Sequence, residues 1–565
     1  MSIISRRDFL RLTGGFAALA GAGSSTVIPS LPSAVAATSG GQGAAPDVEI
    51  NLKATRARVA ISPGQQTEVW SYGGELLKGD PASLQAMPGS YLGPIIRVRK
   101  GQRVRVRFTN DLPEQSIIHW HGLHVPERMD GHPRDAVAPG GSYLYEFPVL
   151  NRAGTYWFHP HPHTLTGGQV YRGLAGLFIV SDDEEVALDL PSGEYDVPLV
   201  IQDRTFDANN QLVYLQGSMG GAMGGHGGMM MRGGMMGSQG AMRGMGDMMG
   251  GMMDRMMGLL GDRVLVNGRP DFVLPVATRV YRLRLLNGSN SRVYKLAWSD
   301  SSPLTVIATD GGLLAKPVQR SYVMLGPAER VELWADFSRL RAGTEVTLQS
   351  LAFTGAEGDE ILKGRGGRGG MAGMMGGGRA LPNGAPFPVL KVRVAREERE
   401  TRMVPTNLSA VPRYRLEDAV NARAPRRFAL TMRMMNWMIN GRSFRMEEVA
   451  PDEVVKLNTV EAWEFINERN PGEMMEQSGM VHPMHIHGVQ FQVAERQVVP
   501  EFKAGWDTVK DGYVDEGWKD TFLIMPGERV KLLMKFQDYP GLFLYHCHNL
   551  EHEDMGMMRN YRVES

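Results

Sequence analysis

Ile95-Ile96-Arg97-Val98-Arg99-Lys100-Gly101-Gln102-Arg103-Val104-Arg105-Val106-Arg107-Phe108 alternates apolar and charged residues on both sides of a Lys-Gly pair. Successive side chains of an extended chain point to opposite faces, so this is a strand, turn, strand signature. The same texture recurs at Ser142 to Pro148, Leu174 to Val180, Val280 to Leu286, Arg330 to Asp336, Val454 to Leu457 and Arg529 to Phe536. Long helical periodicity is hard to find. The chain reads as all-β, with several sandwiches joined in series.

A length of 565 residues predicts more than one domain, at roughly 150 residues each. Lys plus Arg and Asp plus Glu both number 61, so no basic field points to nucleic acid. A single Cys excludes an intramolecular disulfide framework and, near several His, is a candidate ligand. The 37 Met residues are the anomaly. Residues 1 to 36 carry a twin-arginine motif at Ser5-Arg6-Arg7-Asp8-Phe9-Leu10, a weakly apolar run and a small-residue site at Ala34-Val35-Ala36. That predicts a signal peptide read by the twin-arginine export machinery and a periplasmic or secreted protein. No other stretch approaches the ~20 apolar residues of a membrane span.

The lone Cys547 lies between His546 and His548, with His552 and Met557 downstream. Thiolate, imidazole and thioether are the ingredients of a blue-copper centre, which needs one more His. If Leu544 to His548 is a strand, His546 and His548 share one face and Cys547 takes the other, so one tripeptide touches two metal sites. Three other clusters follow the same spacing. His119-Trp120-His121-Gly122 and His159-Pro160-His161-Pro162-His163 each place two imidazoles on one face, the prolines of the second suiting an edge or extended segment. In His482-Pro483-Met484-His485-Ile486-His487-Gly488 the last two histidines share a face. His482, of opposite parity, is free to complete the Cys547 site. The paired positions supply eight imidazoles, too many for one copper ion and suited to a small cluster.

These four motifs resemble the copper signatures of the multicopper oxidases, most closely the bacterial laccase-like cuprous oxidases of copper tolerance. Arg284-Leu285-Leu286-Asn287-Gly288, Ala308-Thr309-Asp310-Gly311-Gly312 and Gly326-Pro327-Ala328-Glu329-Arg330 look like that family's middle domain. The resemblance implies three cupredoxin-like Greek-key β-sandwich domains in series, at 45–183, 184–399 and 400–565, the first and third building a shared cluster. It implies four copper ions. The type 1 ion would take His482, Cys547, His552 and axial Met557; the type 2 ion His119 and His485; the type 3 pair His121, His159, His161, His487, His546 and His548. Substrates would give electrons singly at type 1 copper, and dioxygen would be reduced to water at the cluster. Asp130 and Glu553 resemble the family's proton-relaying acids, although loop or supporting carboxylates have the same spacing.

Residues 217–258 carry fifteen Met among Gly, with His226, Asp247 and Asp254. Thioethers are soft ligands for Cu(I), so the insert is a candidate cuprous collector; a disordered linker is the competing reading. The run from Asp247 to Met257 is a candidate short helix, and Lys363 to Arg379 reads as a flexible loop. Placement of the insert in the middle domain departs from the best-known relatives. Met480 and Met432 match their substrate-copper methionines. Ser478 stands where an Asp is expected, leaving Glu476 or Glu473, and Trp437 stands at another acidic place. The expected protein is an exported monomeric oxidase of Cu(I) and of small aromatic reductants. Its rivals are a general laccase with incidental copper oxidation and a non-catalytic copper-storage or structural exported protein, against which the full ligand set counts.

Overall fold

Ile95–Arg99 and Arg103–Asn110 are both strands, yet they do not pair with each other. The first pairs in parallel with Gly176–Ser181. The second lies in the opposite sheet, between Val48–Val59 and Ser142–Pro148. Between them Gly101 takes φ 90°, a left-handed conformation that only glycine adopts freely. The turn is tied to both sheets, Lys100 donating to the Ser181 carbonyl and Gly101 to that of Val149. Ile96, Val98, Val104, Val106 and Phe108 therefore meet in one core from opposite sides.

This computed structural model describes residues 45–87, 89–215, 251, 254–356, 381–433, 436–468 and 479–565. The segment 1–36, most of the insert 217–258, Lys363 to Arg379, and Glu473, Glu476 and Ser478 lie outside the described residues. Among the described residues six sheets stack in three pairs along the chain. Those of the first sandwich fall between Val48 and Ser181, of the second between Asp196 and Arg396, and of the third between Arg426 and Glu564. Each pair encloses its own apolar core. Smaller clusters join neighbours: Leu177, Leu265 and Leu286 between the first and second sandwiches, and Met324, Phe353 and Leu523 between the second and third. The first seam also holds a buried charge network, with Arg284 on Asp196 and Glu332, and Glu332 accepting from Thr155. Among the described residues no helix is long and apolar enough to cross a membrane.

The metal-ligating residue types sit at strand ends where the first and third sandwiches meet. Ile118–His121 is an edge strand paired antiparallel with Gly154–Pro160, which sets His119 opposite His159. Gly154–Pro160 is itself interior to its sheet, which corrects the edge expectation. Pro160 is tolerated there because pairing with Gly176–Ser181 stops at Phe158, so at the proline the strand has a neighbour on one side only, as at an edge. Gly541–Cys547 runs between Met558–Glu564 and His482–Ile486, with His546 opposite His485 and Cys547 opposite Met484.

Candidate metal centre

Strand alternation sends Cys547 into the core of the third sandwich, where it is fully buried with Met480, Met484 and Met557. Its Sγ lies 3.4 Å from Nδ1 of His482 and 3.6 Å from Nδ1 of His552. Met557 is held nearby, its carbonyl accepting from the Cys547 N–H. Trp437 packs on both imidazoles, at 4.8 and 4.4 Å between ring centres. His552 Nε2 donates to the Met256 carbonyl at 3.0 Å, which leaves Nδ1 bare toward the sulfur. Burial pushes the thiol pKa up and that of His482 down to about 3. Two neutral imidazoles aimed at a buried thiol form a pocket for a soft cation, which would take the thiolate.

His546 and His548 leave the same strand on the opposite face and enter a group of eight buried imidazoles with His119, His121, His159, His161, His485 and His487. Nε2 of His119 and of His485 are 3.3 Å apart, and Nε2 of His487 and of His546 are 3.0 Å apart. The opposite ring nitrogens are committed as donors. Nδ1 of His119 and of His485 donate to the Asp130 and Asp520 carbonyls, that of His487 to the Asp130 carboxylate, and that of His546 to the Cys547 carbonyl. As neutral imidazoles these rings aim bare lone pairs at one another, an arrangement that only cations between them make favourable. The donor set fits metal ions, and its nitrogen count fits more than one.

Family models described as multicopper oxidase match residues 59–185 and 419–565. A bilirubin oxidase of Albifimbria verrucaria is 30% identical, the match covering 85% of this chain and 73% of that protein. The crystal structure of McoA multicopper oxidase from the hyperthermophile Aquifex aeolicus is 31% identical with a TM-score of 0.70, covering 92% of this chain and 97% of that one. This chain is a multicopper oxidase.

A third relative, multicopper oxidase mco of Staphylococcus aureus, is 29% identical over 86% of both chains. Copper is thus the metal of the centre, and oxidation of a reductant its chemistry. Around the eight imidazoles of this multicopper oxidase stand three buried carboxylates. Asp130 places Oδ2 2.8 Å from His487 Nδ1. Glu553 places Oε2 3.2 Å from His546 Nδ1 and Oε1 3.6 Å from His161 Nε2. Burial raises the Glu553 pKa, but His161 and His546 outweigh it and hold the group at about 2, an ionised acceptor at neutral pH.

The third carboxylate, Asp520, has no place in the sequence expectation. It touches His121 at 3.1 Å and is paired with Arg330. The signal was present in the middle-domain motifs, whose Asp310, Glu329 and Arg330 converge on Lys519 and Asp520. On the Cys547 side the additions are Met256 and Glu551. Glu551 accepts from Ser291, Asn290, Tyr214 and the Leu259 N–H, fastening the short helix that carries His552 to the middle sandwich. Residues 254–257 are helical, as the Met periodicity predicts. Met480 is 2% exposed, whereas Met256, Met432 and Met555 are half-buried against the same core. Glu476 lies outside the described residues.

Proposed function

We propose that this multicopper oxidase takes electrons one at a time from Cu(I), and from phenols or aromatic amines, and passes them to dioxygen, which is reduced by four electrons to water. One observation carries the proposal: Cys547 belongs to one site while its covalent neighbours His546 and His548 belong to the other. Four copper ions are proposed. The type 1 ion is held by His482, Cys547, His552 and Met557, the type 2 ion by His119 and His485, and the type 3 pair by His121, His159, His161, His487, His546 and His548. Bound copper supplies the one-electron chemistry and the oxygen reduction. The chain supplies the rest: the Cys547 backbone is a bridge a few bonds long, and the buried fold keeps bulk water from both sites. Asp130 and Glu553, each within reach of a cluster imidazole, move the protons that water formation consumes.

Support for Cu(I) as substrate comes from the thioethers packed against the core that encloses the type 1 pocket. Met256 and Met432 are soft, uncharged and half-buried against the core that holds Cys547, the Met256 carbonyl accepting from Trp437 and His552 and Met432 pairing across the strands with Trp437, while Met480 is buried in that core. In sequence the Met-rich insert runs into Met256. The proposed role is copper tolerance outside the cytoplasm, after twin-arginine export. Kinetics on two reductants test it. Deleting 217–253, which spares the helix over His552, and separately Met432→Leu, should raise KM for Cu(I) about tenfold. Turnover of a methoxyphenol should stay within about twofold. Equal effects on both reductants would leave a general laccase as the better reading.

A further inference from the structure

Seven of the eight cluster imidazoles meet a neighbouring imidazole through Nε2. His121 is reversed. Its Nε2 faces away, 3.1 Å from Asp520 Oδ1 and 3.1 Å from Thr521 Oγ1, and its buried Nδ1 has no hydrogen-bond partner among the described residues. We propose that Asp520, held by Arg330 of the middle sandwich, is a positioning residue that fixes His121 in the Nε2–H tautomer and so turns Nδ1 toward the cluster. This rests on reading the eight histidines as a copper cluster.

The geometry leaves His121 no other choice. Arg330 donates to Asp520 Oδ1 at 2.7 Å and to Oδ2 at 2.6 Å, and a carboxylate held by both arms of a guanidinium has no proton to give. The Thr521 hydroxyl donates to Asp520 Oδ1 at 2.9 Å, so it too presents lone pairs to the ring. Both neighbours of Nε2 are acceptors, and Nε2 must carry the hydrogen. The main chain of the same residue imposes the opposite state on the stacked ring 3.7 Å away: the Asp520 carbonyl accepts from His485 Nδ1 at 2.7 Å. Arg330 is itself spent on the Thr155, Ala328 and Asp310 carbonyls, so it links all three sandwiches at this point. The residue after His121 is shaped to the pair. A Cβ on Gly122 would lie 2.3 Å from Asp520 Oδ2 and 2.8 Å from Arg330 Nη2. In this way the middle sandwich, which contributes no cluster histidine, selects the nitrogen that one of them offers.

The test uses histidine labelled with nitrogen-15 in the copper-free protein, whose ring shifts report which nitrogen is protonated, together with copper per chain after loading. Asp520→Asn keeps the packing but presents either an oxygen or an N–H, and should give His121 as a mixture of tautomers. Asp520→Leu with Arg330→Met removes both charges, so neither is left buried alone. It should abolish the Nε2–H signal of His121 and hold at least one copper fewer per chain than the parent, with the blue colour of the Cys547 site kept. Arg330→Lys, which preserves the charge, should retain the parent tautomer. Unchanged shifts and copper content in both the Asn and the double variant would overturn the proposal. If the parent itself took up no copper at the cluster, the proposed function would fail, while the tautomer comparison would still decide on Asp520.

Discussion

At the scale of single residues the centre is a group of neutral bases held out of water. Burial pushes His161 and His482 down to about 3, and His121, His159, His485, His487, His548 and His552 well below the ordinary 6.5. The sign of the consequence follows from which state binds protons. Below the unfolded value near 6.5 the unfolded chain takes up protons that these folded imidazoles refuse. Stability of the copper-free protein is therefore full above that pH and is lost as pH falls toward 3. Each such histidine contributes a slope of about 1.4 kcal/mol per pH unit in that window. Urea midpoints at pH 7.5, 6 and 5 should fall steeply for the copper-free protein; a flat series would contradict the buried, neutral assignment. The histidines were legible in the sequence because their i, i+2 spacing is local. Asp520 was not, because its meaning depends on Arg330, 190 positions earlier in the chain.

At the scale of elements, parity did most of the assigning. Gly541–Cys547 and His482–Ile486 are strands, so alternation alone separates Cys547 and His482 from His546 and His485. The stretch from Ile95 to Phe108 shows the limit of that reasoning. Its alternation gave both strands, but nothing local tells whether the turn closes a hairpin or crosses to the facing sheet. That choice is set by partners far along the chain, Gly176–Ser181 for one strand and Val48–Val59 for the other. The short helix Leu550–Asp554 was likewise invisible, since too few residues repeat to show a period. It is fixed at both ends, Asn549 accepting from the His552 N–H and Asp554 accepting from the N–H groups of Thr166 and Gly167. Glu551→Ala should cost about 3 kcal/mol by stripping buried donors of their acceptor, read as a fall in the thermal midpoint of the copper-free protein. A loss within about 0.5 kcal/mol would mean that the clasp to the middle sandwich is ornamental.

At the scale of the whole molecule three cupredoxin-like β-sandwiches divide the labour unequally. The third encloses the Cys547 site, the first and third share the eight imidazoles, and the second supplies Arg330, Asp310 and the segment that ends over His552. Family and fold were legible from four short motifs in order. The substrate was not, because a Met- and Gly-rich composition fits a cuprous collector and a linker equally well. The central claim is that electrons collected at Cys547 cross to the histidine cluster, where dioxygen is reduced. Oxygen uptake by copper-loaded Cys547→Ser tests it directly, with copper per chain measured on the same sample. The expected result is loss of one copper, retention of the others, and a fall in uptake of at least about a hundredfold with either reductant. Uptake equal to that of the parent protein would contradict the claim.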